Sequence, residues 1–244
     1  MTHDIDTQAQ RTALVTGATS GIGRAAALKL AEDGFRVLVH GRDAERGAAV
    51  VAEIEKNGGS AQFLAADLTD VHAIEQLAAA AGDVDVLVNN AGFSWFGPTA
   101  ELSADTFDGL FAANVRSAYY LVAALAPKMV ERGRGSIVNV GSMAGQVGLA
   151  GGAAYSATKA ALAALTRAWA AEFSPSGVRV NTIAPGPVYT GAPAERIAAL
   201  GETTLFGRAA QADEIADAIA FLASSASGYV TGAVIPVDGG RTAV

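Results

Sequence analysis

Tyr155-Ser156-Ala157-Thr158-Lys159 sets a phenol and an ammonium four residues apart at the start of an Ala/Leu-rich run, Ala153–Phe173, whose composition predicts a helix. On a helix, residues at this spacing share a face, about 6 Å apart along the axis. A free phenol, with a pKa near 10, exchanges protons poorly at neutral pH. A fixed cation beside it favours phenolate and brings it toward the working range, giving a general acid/base with its tuner one turn away. A packed ring beside a solvated amine has the same spacing, so the rest of the chain must decide.

Two further residues bear on chemistry. Ser142 follows the apolar run Ser136–Val140, thirteen residues before Tyr155; its hydroxyl can donate to a substrate oxygen or cap a loop. Asn114 interrupts a long helical pattern, where asparagine competes for backbone bonds. It marks either a local distortion able to hold a water or a tolerated surface residue.

A second group of residues suits a dinucleotide. Thr16-Gly17-Ala18-Thr19-Ser20-Gly21-Ile22-Gly23 lies between a short strand pattern and an Ala-rich helix pattern. Its glycines allow a tight turn and close approach to a pyrophosphate, whose charge a helix N-terminus favours. The spacing is Gly-x-x-x-Gly-x-Gly, which departs from Gly-x-Gly-x-x-Gly. The second strand ends His40-Gly41-Arg42-Asp43. An acidic residue there would take a ribose 2′-hydroxyl and an arginine a 2′-phosphate. Asp43 is equally an N-cap for the next helix, so Arg42 favours NADP(H), with NAD(H) through Asp43 as the alternative. Asp67-Leu68 ends the third strand, where a carboxylate can accept from an adenine amino group or cap a loop. Asn89-Asn90-Ala91-Gly92 ends the fourth, in a form suited to a ribose or a neighbouring loop. Pro185-Gly186-Pro187-Val188-Tyr189-Thr190 ends the sixth in a rigid turn, where Val188 can offer backbone groups, and Thr190 its hydroxyl, to a carboxamide.

These residues need elements to hold them, and the pattern supplies a regular set. Strand patterns cover Thr12–Thr16, Arg36–His40, Gln62–Ala65, Val84–Val88, Ser136–Val140, Val178–Ile183 and Val234–Val237. Between them lie helix patterns at Ile22–Asp33, Asp43–Asn57, Val71–Ala81, Ala104–Glu131, Ala153–Phe173 and Gln211–Ala223. Such alternation, with near-continuous apolar strands, predicts a three-layer, doubly wound, Rossmann-like parallel sheet of about seven strands in a single domain over residues 11–244. Residues 1–10 are polar and read as a loose N-terminal tail.

At 244 residues and 51% hydrophobic, the chain can bury a large core. A net charge of −7 with no basic cluster argues against nucleic acid. No uninterrupted apolar run approaches membrane length, and the absence of cysteine fits the cytoplasm. Three scattered histidines (His3, His40, His72) make no metal site. The helix at Tyr155 is apolar nearly all round, which predicts a homodimer or homotetramer. Phe93, Trp95, Met143, Val147, Leu149, Tyr189 and Phe206 are candidates for an apolar substrate pocket, or for core and interface.

In combination these motifs resemble the short-chain dehydrogenase/reductase family from Thr12 to Gly240, in the family's order, with the Gly-x-x-x-Gly-x-Gly turn as its own variant. The resemblance implies Asn114, Ser142, Tyr155 and Lys159 as a catalytic tetrad. It implies a cofactor held by Gly17, Thr19, Ser20, Gly21, Ile22 and Gly23 at the pyrophosphate, Arg42 at the 2′-phosphate, and Asp67 and Leu68 at adenine. Asn90, with Ala91 and Gly92, would meet a ribose; Pro185, Gly186, Val188 and Thr190 would meet the nicotinamide amide. Lys159 would also bind the nicotinamide ribose and Asn114 a relay water. The implied activity is hydride exchange with a ketone or secondary alcohol. The chain is similar to 3-oxoacyl-[acyl-carrier-protein] reductases, yet beyond Arg132 and Arg134 it shows little of the basic patch an acidic carrier would require.

Overall fold

The computed structural model describes residues 10–244. The tail expected at 1–10 lies outside the described residues except for Gln10, which is exposed. The chain runs β1 Thr12–Val15, α1 Gly21–Glu32, β2 Arg36–Gly41, α2 Ala44–Lys56, β3 Ser60–Ala65, α3 Val71–Ala81 and β4 Val86–Asn89. It continues through α4 Ala104–Phe111, a π-helical turn Ala112–Arg116, α5 Ser117–Glu131, β5 Gly135–Val140 and α6 Ala153–Phe173. β6 Val178–Pro185, α7 Ala194–Gly201, α8 Ala212–Ala223 and β7 Val234–Val237 complete it.

All seven strands pair in parallel, in the order β3-β2-β1-β4-β5-β6-β7. β1, β4 and nearly all of β2 and β5 are buried, whereas the edge strands β3 and β7 are half-buried with a few exposed positions. That pattern follows from helices covering both faces. Val15, Val39, Val88 and Val138 face α1 and α8, and Leu14, Leu38, Leu87 and Ile137 face α3 and α5. Each fully buried aliphatic side chain contributes about 1.5–3 kcal/mol. The order reverses between β1 and β4, so a crevice opens at the carboxyl ends of these strands.

Two departures from the expected elements matter. The single helix expected over Ala104–Glu131 carries the π turn in its middle, with Asn114 buried inside it. By length and composition alone this run is apolar enough to cross a bilayer, but half of its most apolar window is buried within the fold. The stretch after β6, which carries no helix pattern in the sequence, holds helix α7, started after Pro193.

Candidate active site

Helix α6 is seated by polar bonds as well as by apolar packing. Thr166, fully buried on it, accepts from Asn139 Nδ2 of β5 at 2.8 Å and meets Thr182 Oγ1 of β6 at 2.7 Å. Asn139 Oδ1 in turn accepts from Asn89 Nδ2 of β4 at 2.9 Å. Three strands thus fix the register of the helix that carries Tyr155 and Lys159. Breaking one such bond leaves a buried polar group unpaired, at about 1–3 kcal/mol.

The π turn fixes the other side. Asn114 Oδ1 accepts from the Phe93 N–H at 3.0 Å, while its Nδ2 donates to Phe93 O at 2.9 Å and to Thr158 Oγ1 at 3.0 Å. Thr158 Oγ1 then donates to the Tyr155 carbonyl at 2.7 Å. Both N–H groups of the Asn114 side chain are therefore committed to protein. Its amide braces the loop after β4 against the first turn of α6, and a relay water would have to use its remaining acceptor capacity or the backbone of the turn.

Ser142 caps a loop, one of the two readings given for it. Its Oγ accepts from the Ala144 N–H at 3.1 Å, capping the short turn Met143–Gly145, and the same hydroxyl pulls the Tyr155 pKa downward. Lys159 is buried, and its Nζ donates to Val140 O at 2.9 Å, 5.7 Å from the Tyr155 ring centroid. Burial lowers its pKa to about 8. The expected acidification of Tyr155 by this cation is not the state of the free protein. Burial pushes the phenol above its ordinary value, against a smaller downward pull from Ser142. The amine spends its bond on a strand-end carbonyl, and both groups sit in a desolvated pocket that penalises charge.

The glycine turn joins the same cleft, of about 820 Å³. Gly17 and Gly21 adopt positive φ, and a Cβ at Gly23 would collide with the Gly17 carbonyl and the Asn90 amide. Thr19, Ser20 and Ile22 line the cleft, and Thr190 packs over Gly21. Gly41 is small because Thr19 lies against it. Asn90 Nδ2 donates to Thr16 O at 2.8 Å and to Gly17 O at 3.2 Å, so it holds the turn and leaves only its oxygen for a ligand hydroxyl. Asp43 caps α2 through the Arg46 N–H at 3.0 Å and pairs with Arg46 Nε at 2.8 Å. Those bonds hold its carboxyl below the usual range. Arg42 lines the cleft and makes no ion pair among the described residues. Asp67 accepts from the N–H and the hydroxyl of Thr69, with Leu68 beside it in the cleft wall. Ala91, Gly92, Pro185 and Gly186 line it too. Val188 is bracketed by the bonds Tyr189 N to Ala210 O and Ala210 N to Pro187 O, while its own N–H and C=O have no partner among the described residues. Such free groups beside a glycine cradle and an unpaired Arg42 fit a nicotinamide dinucleotide.

Residues 11–200 match the family model described as short chain dehydrogenase. The chain belongs to that family. It is 41% identical over 246 residues to the cis-4-hydroxycyclohexanecarboxylate dehydrogenase of Sinomonas cyclohexanicum, covering 97% of this chain and 98% of the relative. It is 39% identical over 241 residues to the cyclopentanol dehydrogenase of Comamonas sp. (strain NCIMB 9872), covering 94% and 96%. Among solved structures, a short chain dehydrogenase/reductase family protein superposes with a TM-score of 0.91 at 48% identity, covering 96% and 98%. A blue fluorescent protein from a metagenomic library, in complex with NADPH, superposes with a TM-score of 0.89 at 35% identity, covering 95% and 97%. The chain is an oxidoreductase of the short-chain type, whose named relatives act on CH–OH donors.

Several residues of the cleft carry no signal in the sequence. His40 is buried, accepts from the Gly17 N–H at Nδ1 (3.2 Å) and meets Ala66 O at Nε2 (3.2 Å). It bolts the glycine turn to the end of β3 through backbone groups that a residue pattern does not reveal. Of the apolar candidates, Phe93, Met143 and Leu149 line the cleft; Trp95, Val147, Tyr189 and Phe206 do not. Phe96, Ile197 and Leu200 take their place, the last two from α7.

Proposed function

We propose that the enzyme transfers hydride between NADP(H) and a ketone or secondary alcohol, with Tyr155 as acid/base. The supporting observation is convergence: the Tyr155–Ser142 pair, buried Lys159, the glycine turn and the free backbone of Val188 open onto one cleft. Arg42 is unpaired, whereas Asp43 is engaged in capping, which favours the phosphorylated cofactor over NAD(H). Bound there, the nicotinamide supplies or accepts the hydride. In the reductive direction Tyr155 gives its proton to the substrate oxygen, and Ser142 donates to that oxygen as negative charge develops on it. Lys159, charged, holds the phenolate that remains. In oxidation Tyr155 takes the hydroxyl proton.

The partner most in keeping with the surface is a second copy of the chain. Phe111, Val115, Tyr119, Ala161, Leu165 and Ala168 form a largely apolar hollow between α4, α5 and α6, edged by Asp108 and Arg116 and away from the cleft. Its pairing across a two-fold axis would give the homodimer, or half of a homotetramer. Sedimentation as a monomer at micromolar concentration would contradict this.

The experiment that tests the reaction is a panel of linear and cyclic secondary alcohols and ketones with each cofactor, followed by nicotinamide absorbance. Turnover with NADP(H) above that with NAD(H) is expected. Failure to bind either cofactor would remove the reading.

A further inference from the structure

We infer that the substrate is a hydroxy acid or its keto acid, and that Arg196 selects it by holding the carboxylate. This rests on the oxidoreductase reading and specifies its substrate class.

Arg196 stands on α7, the helix placed after β6, and lines the cleft. Its guanidinium lies 5.4 Å from the centroid of Phe96, whose ring lies 5.6 Å from that of Tyr155. The cation is therefore within the combined span of those two distances from the acid/base. Phe96 is held between them because its loop is tied to the approach of α6: the Gly97 N–H donates to Gly151 O at 3.0 Å, and Gly152 packs under the Phe96 ring. An aromatic platform of this kind orients a guanidinium by cation–π contact and leaves its N–H edge for another partner.

No such partner is present among the described residues: Arg196 makes neither an ion pair nor a hydrogen bond there. Helix stability does not account for it. A cation in the first turn opposes the helix dipole, and the neighbouring Glu195, one residue away, cannot face it and does not line the cleft.

The distribution of charge along the cleft points the same way. Its two carboxylates, Asp43 and Asp67, sit at the ends of β2 and β3 and are tied to Arg46 and Thr69. Arg42 and Arg46 line the same end as those carboxylates, and of the described residues that line the cleft the remaining charged side chains are Lys159, one turn from Tyr155, and Arg196. In a protein of net charge −7, this makes the exposed mouth of the cleft on the Tyr155 side cationic. Leu149, Ile197 and Leu200 supply apolar wall between the two ends of a substrate, and Lys159 is already bonded to Val140 O. An anionic group several bonds from the carbinol carbon would reach Arg196 while the carbinol oxygen meets Tyr155 and Ser142.

The test uses a pair of non-reacting ligands of one shape, cyclohexanecarboxylate and cyclohexanecarboxamide, titrated calorimetrically into the NADPH-loaded protein. The wild type is expected to bind the carboxylate about tenfold or more tightly than the amide, as a charge-assisted bond warrants. The preference should weaken with added salt. Arg196→Gln should abolish it, Arg196→Lys should restore part of it, and amide binding should be unchanged in both. The same ratios should appear in kcat/KM for cis-4-hydroxycyclohexanecarboxylate and its carboxamide. Equal binding of the two ligands by the wild type, or a preference that survives Arg196→Gln, overturns the inference and leaves the oxidoreductase reading standing. Weakened NADPH binding in Arg196→Gln with the carboxylate preference intact assigns Arg196 to cofactor phosphate and likewise overturns it. A wild type that binds no nicotinamide cofactor brings down the reading beneath it.

Discussion

The two ends of the cleft are built on opposite principles. At the ends of β1–β3, most polar side chains are satisfied by neighbouring protein: His40 by Gly17 and Ala66, Asn90 by Thr16 and Gly17, Asp67 by Thr69, Asp43 by Arg46. At the ends of β5 and β6 the ionisable groups are stressed, with Tyr155 raised and Lys159 lowered by burial. The first end is a preformed cradle whose shape is its contribution; the second holds a cation where burial penalises charge. A ligand that brings polar groups to the second end relieves a cost which the fold has already met, so binding and acid/base tuning are coupled there and not at the first.

Removing the acid/base should give the largest effect and sharpen that division. Tyr155→Phe is expected to lose about 10²–10⁴ in kcat, the range of a positioned proton transfer, with cofactor affinity little changed. Stopped-flow and equilibrium binding separate the two. Near-full turnover would mean that another group handles the proton.

The cradle end should answer in affinity instead. Arg42→Asp removes the free cation and sets a carboxylate in its place, so NADPH should weaken about 10–100-fold, the weight of a charge-assisted bond. NADH should weaken less, and the ratio of kcat/KM for the two cofactors measures the shift. An unchanged ratio removes Arg42 from the argument.

The fold was legible because β-branched and Ala/Leu runs alternate with little ambiguity, and each strand expected from Thr12 to Val237 is present to within two residues. The π turn was not, since one inserted residue in a helical repeat changes no composition; the misplaced polarity of Asn114 was its only trace. Helix α7 is eight residues long between turn-rich segments, too short for a periodic signal. Motif residues were recognised by type, but several roles differ in kind. Asn90 and Asp43 spend their side chains on the scaffold, and His40 acts through backbone partners 23 and 26 residues away. Burial was the term that sequence spacing could not supply, and it reverses the expected direction for Tyr155 in the free protein.

Lys159→Met tests the stress at the catalytic end by stability. A fall from 10.5 to about 8 corresponds to about 3 kcal/mol against the charged amine. The unfolded state binds the proton more readily, so the penalty is full below pH 8 and fades as pH rises toward 10.5. Met fills the volume without charge but leaves Val140 O unpaired, which returns about 1–3 kcal/mol. The net expectation is a free protein of equal or slightly higher Tm at neutral pH, with activity lost. A drop in Tm of many degrees would mean that the amine stabilises the fold, and the contrast between the two ends would fail.

The smallest effect belongs to His40, at the satisfied end, and it is a matter of sign. Burial is the main cause holding its pKa below 6.5; Arg42 adds to this, while the Ala66 carbonyl and Asp67 oppose. Neutral, it can accept from Gly17 and donate to Ala66; protonated, it would turn an N–H toward the Gly17 N–H. Above pH 6.5 both folded and unfolded chains carry it neutral, so it adds no pH dependence there. As pH falls below 6.5 the unfolded chain takes the proton first, and native stability declines until the lower folded value is passed. His40→Gln keeps polar groups without titrating. Its Tm is expected to lie below that of the wild type at pH 7.5 by about 2–4 °C, for about 1 kcal/mol of lost bonding, and to decline less between pH 6.5 and 5. Parallel Tm curves for the two proteins across that interval would show that the histidine takes its proton as readily in the fold as in the unfolded chain, and that its burial between Gly17 and Ala66 does not hold it neutral.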